Sequence, residues 1–115
     1  MLTSGDVIDL DLGAPRGREA GALHPAVIVT AQRILDRSPS VIHVVPLTST
    51  QRAFESEIRI APHGSNGLEV ASSAQCQHVR SVSTERVLAP RGNIGSVLLA
   101  QVRGTIAMIL DVPGH

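Results

Sequence analysis

Apolar and polar residues alternate from the start of the chain. In GDVIDLDL, Val7, Asp9 and Asp11 take one phase and Ile8, Leu10 and Leu12 the other, the period of two that half-buries a β-strand. The next stretch, GAPRGREAGAL, is rich in Gly and charge and predicts a long mobile loop. Pro25 then opens AVIVT, an unbroken run of branched aliphatics that predicts a central strand buried on both faces. AQRILDRS reads as a short helical turn. VIHVVPLTST is the second strongly apolar run, and its Pro46, which cannot donate to a ladder, predicts a bulge or an edge position. SEIRI alternates again, PHGSNGL carries the Asn-Gly chemistry of a turn between paired strands, and LEVASSAQCQHVRSV supplies one or two more strands. STERV predicts a brief turn capped by Ser83 or Thr84. In GSVLLAQVRGTIAMILDV, residues Val97, Leu98, Val102, Ile106, Ile109 and Leu110 recur at helical spacing, with Ser96 as N-cap. Gly104 weakens that helix by about 1 kcal/mol relative to Ala. Five or six short strands and a terminal helix predict one α+β domain over residues 1–115: a strongly twisted antiparallel sheet or half-open barrel with the helix packed across it.

Composition constrains how such a domain packs. Of the 115 residues, 43% are apolar, yet Phe54 is the sole aromatic, so the core must be built from Val, Ile, Leu and Ala. With only 17% charged residues, the sheet should leave an apolar face that needs cover, which predicts self-association. No run approaches the roughly 20 apolar residues of a membrane span, and the acidic N-terminus is unlike a signal peptide, so a cytoplasmic protein is expected. The lone Cys76 reads as a small core residue. Ten Arg and no Lys balance ten acids, excluding whole-molecule attraction to nucleic acid, but the charge is segregated. Arg16, Arg18, Arg33, Arg37 and Arg52 face only Glu19 and Asp36 between residues 13 and 52, which is either ordinary solvated surface or a polyanion-facing patch. His24, His43, His63, His78 and His115 show neither paired spacing nor a Cys partner, so no metal or other cofactor is expected, and no Gly-rich phosphate loop opens a helix.

Four segments taken in order, GDVIDLDL, GREAGALHPAVIVT, VVPLTST and QCQHVRSVSTERVLAPRGNI, resemble the MazF/PemK/Kid family of toxin endoribonucleases over nearly the whole chain. The resemblance implies an SH3-like barrel of the CcdB/MazF type, a homodimer, metal-independent cleavage of single-stranded RNA, and an acidic MazE-like antitoxin whose tail fills the RNA groove. It places the site where HPAVIVT meets VVPLTST, with Thr48 and the neighbouring Ser49 as strand-end donors to a phosphate oxygen. Where the family usually has Arg before the Pro of the second strand, this chain has His24, and a position usually acidic falls on Gln77, three residues before Arg80.

Cleavage without metal requires proton removal from the 2′-hydroxyl, charge stabilisation on the phosphorane and protonation of the leaving 5′-oxygen. His24 and His78 are candidates for the base and acid, Arg80 for the fixed positive charge with Gln77 beside it, and Arg16, Arg18 and Glu19 for a loop that touches RNA or antitoxin. With one aromatic ring, base stacking is nearly absent, so recognition must rest on polar contacts and pocket shape. Two other functions fit the same fold: a catalytically weakened module that keeps its dimer and antitoxin groove, and a CcdB-like gyrase inhibitor. The ending ILDVPGH lacks the aromatic residue that gyrase inhibitors use near the end of their last helix.

Overall fold

Alternation along β1 (Asp6–Asp11) and the aliphatic run of β2 (Leu23–Ile28) place Val7 opposite Val27, and Val27 opposite Val45 of β3 (Val41–Thr48), in a computed structural model that describes residues 1–11 and 23–113. The short helix α1 (Gln32–Leu35) joins β2 to β3; then follow β4 (Glu57–Ile60), β5 (Ser72–Gln75), β6 (Arg80–Ser83), β7 (Val87–Asn93) and the helix α2 (Gly95–Ile109). Every strand pairing is antiparallel, in the order β4-β5-β3-β2-β1-β7, with β6 also on β3. Among the described residues no helix is long and apolar enough to cross a membrane.

Both sheet faces are covered, which is why AVIVT reads as one apolar run. One face gathers Val7, Val27, Val45, Ile60, Ala74 and Cys76 against Leu99 and Val102 of α2; the other gathers Ile8, Ala26, Ile28, Ile42 and Val44 with Leu35 of α1. Burial pushes the Cys76 thiol up to about 11, so it is a protonated core residue at neutral pH.

The structure departs from the sequence expectations at four places. There are seven strands; the additional one is β7, whose VLAPRGN has neither alternation nor strand propensity. Pro46 lies in a central strand, opposite Ala26 of β2. It is tolerated because β3 exchanges neighbours there: β6 pairs with Val41–Val44 and β5 with Leu47 and Thr48, leaving no ladder partner for the missing N–H. Helix α2 is not capped by Ser96, which lies inside it; Asn93 Oδ1 instead accepts the Gly95 N–H at 2.7 Å. Its inner face is Leu99, Val102 and the partly buried Leu98 and Ile106, whereas Val97, Ile109 and Leu110 are exposed. The turn at STERV is a 3₁₀ turn over Thr84–Arg86 with Ser83 as the cap, accepting from Glu85 N. The long loop of residues 13–22 lies outside the described residues.

A candidate cleft at the end of strand β3

The β2–β3 ladder ends early, and a proline is the cause. Val29 N donates to His43 O, and alternation from that bond turns the Leu47 backbone toward Pro25. Pro25 has no N–H to give, so pairing stops at Ala26–Pro46 and the strand ends part. A cleft of about 410 Å³ opens there, lined by Pro25, Leu47, Thr48, Ser49, Leu68, Glu69, Val70, Ser72 and Arg91.

Three hydroxyls edge this cleft. Thr48 Oγ1 accepts the Thr50 N–H at 3.2 Å, the turn that ends the strand, while its own proton stays available to donate. Ser49 is exposed beside it, and Ser72 Oγ donates to Val70 O at 3.1 Å. Ser73 of β5, directly opposite Thr48, is fully buried and its hydroxyl has no partner among the described residues.

The opposite wall depends on close backbone packing. The turn at residues 63–68 lies on β7 so tightly that a Cβ on Gly67 would come within 2.4 Å of Arg91 O, and one on Gly92 within 2.4 Å of Ser65 O. Gly67 also has a positive φ of 68°, so it is glycine for both reasons. Asn66 closes the turn, its Oδ1 accepting from the His63 and Leu68 amides, and it thereby holds Leu68 and Glu69 at the cleft.

The remaining sequence-derived site residues divide by element. Carried past its last pair, the β2–β3 register brings His24 level with Thr48, but His24 is exposed and does not line the cleft. Gln77 and His78 belong to a 3₁₀ turn, Cys76–His78, between β5 and β6, so β3 stands between His78 and His24. Arg80 pairs with Val44, about 13 Å down the strand from Thr48 at 3.3 Å per residue. There it borders a separate hollow of about 480 Å³ with His43, Ser81 and Arg103. Arg16, Arg18 and Glu19 lie outside the described residues. The structure thus unites Thr48 and Ser49 and places Arg80 elsewhere.

Two partners escaped sequence reasoning. Gln77 Nε2 donates at 2.8 Å to Glu57 Oε2, which also takes the Arg52 guanidinium at 2.5 Å. The Glu57 side chain is wholly buried, and the Arg52 hydrogen bond, helped by Gln77, holds its carboxyl below the usual range despite burial. Arg52 also stacks on Phe54, 4.8 Å from the ring centre. The network ties the β3–β4 connection, through Glu57 of β4, to the turn that follows β5. The other missed residue is Arg91, which lies on the strand that patterning did not find. Among the described residues no three His, Cys, Asp or Glu side chains come together to hold a metal ion.

Comparison with known proteins bears on the family and the fold. Residues 3–110 match the family described as PemK-like, MazF-like toxin of type II toxin-antitoxin system. The chain is 32% identical, over 97% of its own length and 98% of the relative's, to a Mycobacterium tuberculosis protein named Endoribonuclease MazF9. Its fold is similar to that of the Mycobacterium tuberculosis toxin MazF-mt6, with TM-score 0.76 at 16% identity over 95% of this chain and 99% of the other. It is also similar to MazF from Deinococcus radiodurans, TM-score 0.73 at 22% identity over 95% and 96% of the two chains. A third similar structure is a mycobacterial endoribonuclease in complex with its cognate antitoxin, TM-score 0.76 at 16% identity, each chain covered in full.

Proposed function

Because the chain belongs to the PemK-like, MazF-like toxins of type II toxin-antitoxin systems, we propose that it is a cytoplasmic endoribonuclease that cuts single-stranded RNA without a metal ion and with sequence preference. The observation that carries this reading is the 32% identity to Endoribonuclease MazF9 along 97% of the chain. The cleft supports it: Thr48 and Ser49 offer hydroxyl donors where a phosphodiester can lie, at a strand end open to solvent.

The chemistry is an in-line attack of the 2′-oxygen on phosphorus, leaving a 2′,3′-cyclic phosphate and a 5′-hydroxyl. In this reading Thr48 and Ser49 donate to a non-bridging oxygen as charge develops on it, and proton transfer falls to His24, which is exposed on β2 beyond the last β2–β3 pair. RNA incubated with the protein in EDTA should be cut, and Thr48→Ala should slow cutting by 10²- to 10³-fold, the usual loss for one oxyanion donor. RNA left intact from pH 5 to 9 overturns the reading.

We assign an acidic antitoxin as the protein partner, by likeness to the relative solved with its cognate antitoxin. We assign a homodimer from the surface as well, because Met108, Ile109, Leu110 and Val112 leave the end of α2 exposed and apolar. A catalytically weakened binder is the second reading, favoured by His24 standing outside the cleft lining. It predicts a harmless wild-type chain whose His24→Arg variant becomes toxic on induction.

A further inference from the structure

We propose that Arg91 is the fixed cation of the Thr48 cleft and grips the phosphate of single-stranded RNA, an inference that rests on the endoribonuclease reading. The β1–β7 ladder carries the first sign. Val7 pairs with Gly92 and Ile8 with Pro90, so one step on β1 matches two on β7, and Arg91 is the extra residue. Such a bulge leaves one residue outside the ladder and re-aims its side chain. The turn packed against Gly92 and the Arg91 carbonyl holds the bulge in place.

The side chain is then oriented from one end. Arg91 Nε donates to Asp9 Oδ2 at 3.0 Å, and Asp9 is the β1 residue directly opposite Pro25. The tether uses only Nε; the two terminal nitrogens make no hydrogen bond among the described residues, and the side chain is 37% exposed. It therefore presents its remaining donors to the cleft, a geometry suited to two phosphate oxygens. Arg91 is the one cation among the lining residues, in the same cleft as Thr48 and Ser49. Glu69 lines the same cleft, so the site is not a general anion trap: a phosphate is held only where Arg91 outweighs that carboxylate.

The test measures binding of a 2′-O-methyl oligonucleotide, which cannot be cleaved, from 50 to 200 mM salt, alongside cleavage of the unmodified RNA. Arg91→Ala should weaken binding at least tenfold at the lower salt and make the log–log salt slope shallower by about 0.7, the value of one phosphate contact on a single strand. Arg91→Lys keeps the charge and the bulge, so it should keep the slope while recovering only part of the cleavage rate. Glu69→Gln should tighten binding. If Arg91→Ala binds with wild-type affinity and slope, the proposal is overturned. It is overturned too if that variant loses only an acidic antitoxin peptide, or if it cuts RNA as fast as a wild-type chain that does cut. A wild-type chain that leaves RNA intact defeats the endoribonuclease reading instead, and the salt slope still decides Arg91.

Discussion

Buried polar side chains in this protein answer to different tests from exposed ones. Glu57 has its folded value depressed below the ordinary 4.5 by Arg52 and Gln77. Its ionised form is thus the one the fold favours: the stabilisation is complete above that ordinary value and is lost as pH falls through the lower folded value. Glu57→Gln should therefore lower the unfolding midpoint at pH 7 and flatten its decline below about pH 4.5, as followed by chemical denaturation. Cys76, fully buried and with its thiol raised to about 11, should resist alkylation in the native protein and react once urea is added. Rapid labelling of the folded chain would contradict that. Cys76 was legible from sequence as a core residue, because a lone cysteine in an aliphatic chain has few other uses. Glu57 was not, since nothing in SEIRI tells that a wholly buried carboxylate there will meet an arginine from the preceding loop.

At the scale of elements, prolines and glycines decide where strands part and where they touch. Pro25 ends the β2–β3 ladder, and Pro46 is accommodated where β3 changes partners. Patterning located both strands but predicted an edge or bulge for Pro46, because the exchange of β6 for β5 depends on residues far along the chain, Arg80 opposite Val44 and Ala74 opposite Leu47. β7 escaped for a related reason: it is mostly exposed, carries Pro90 and is bulged, so it lacks any period to read. Its glycine is correspondingly exacting. Gly92→Ala forces a methyl within 2.4 Å of Ser65 O, and should cost about 1–3 kcal/mol of stability while loosening the cleft wall. Leu99→Ala, in the layer between α2 and the sheet, should cost about 2–5 kcal/mol by opening a cavity. Thermal or denaturant unfolding measures both.

For the whole molecule, a net charge of zero leaves the approach of RNA to local fields, so binding should weaken with salt in proportion to a few contacts only. The exposed apolar end of α2 is the surface on which the proposed homodimer is tested. Leu110, 62% exposed, changed to Asp should shift sedimentation from dimer toward monomer without unfolding the chain. A wild-type chain that sediments as a monomer at every concentration would contradict the dimer. The resemblance of the sequence to one toxin family extended to the fold, whereas the site was only partly legible: Thr48 and Ser49 line the cleft, while Arg80 borders another hollow. The direct measurement of RNA cleavage is to incubate the protein with a long mixed-sequence RNA in EDTA and map new 5′-hydroxyl ends. Discrete ends at a recurring sequence, absent with Thr48→Ala, are the predicted result; an intact RNA, or cuts that persist in that variant, would contradict it.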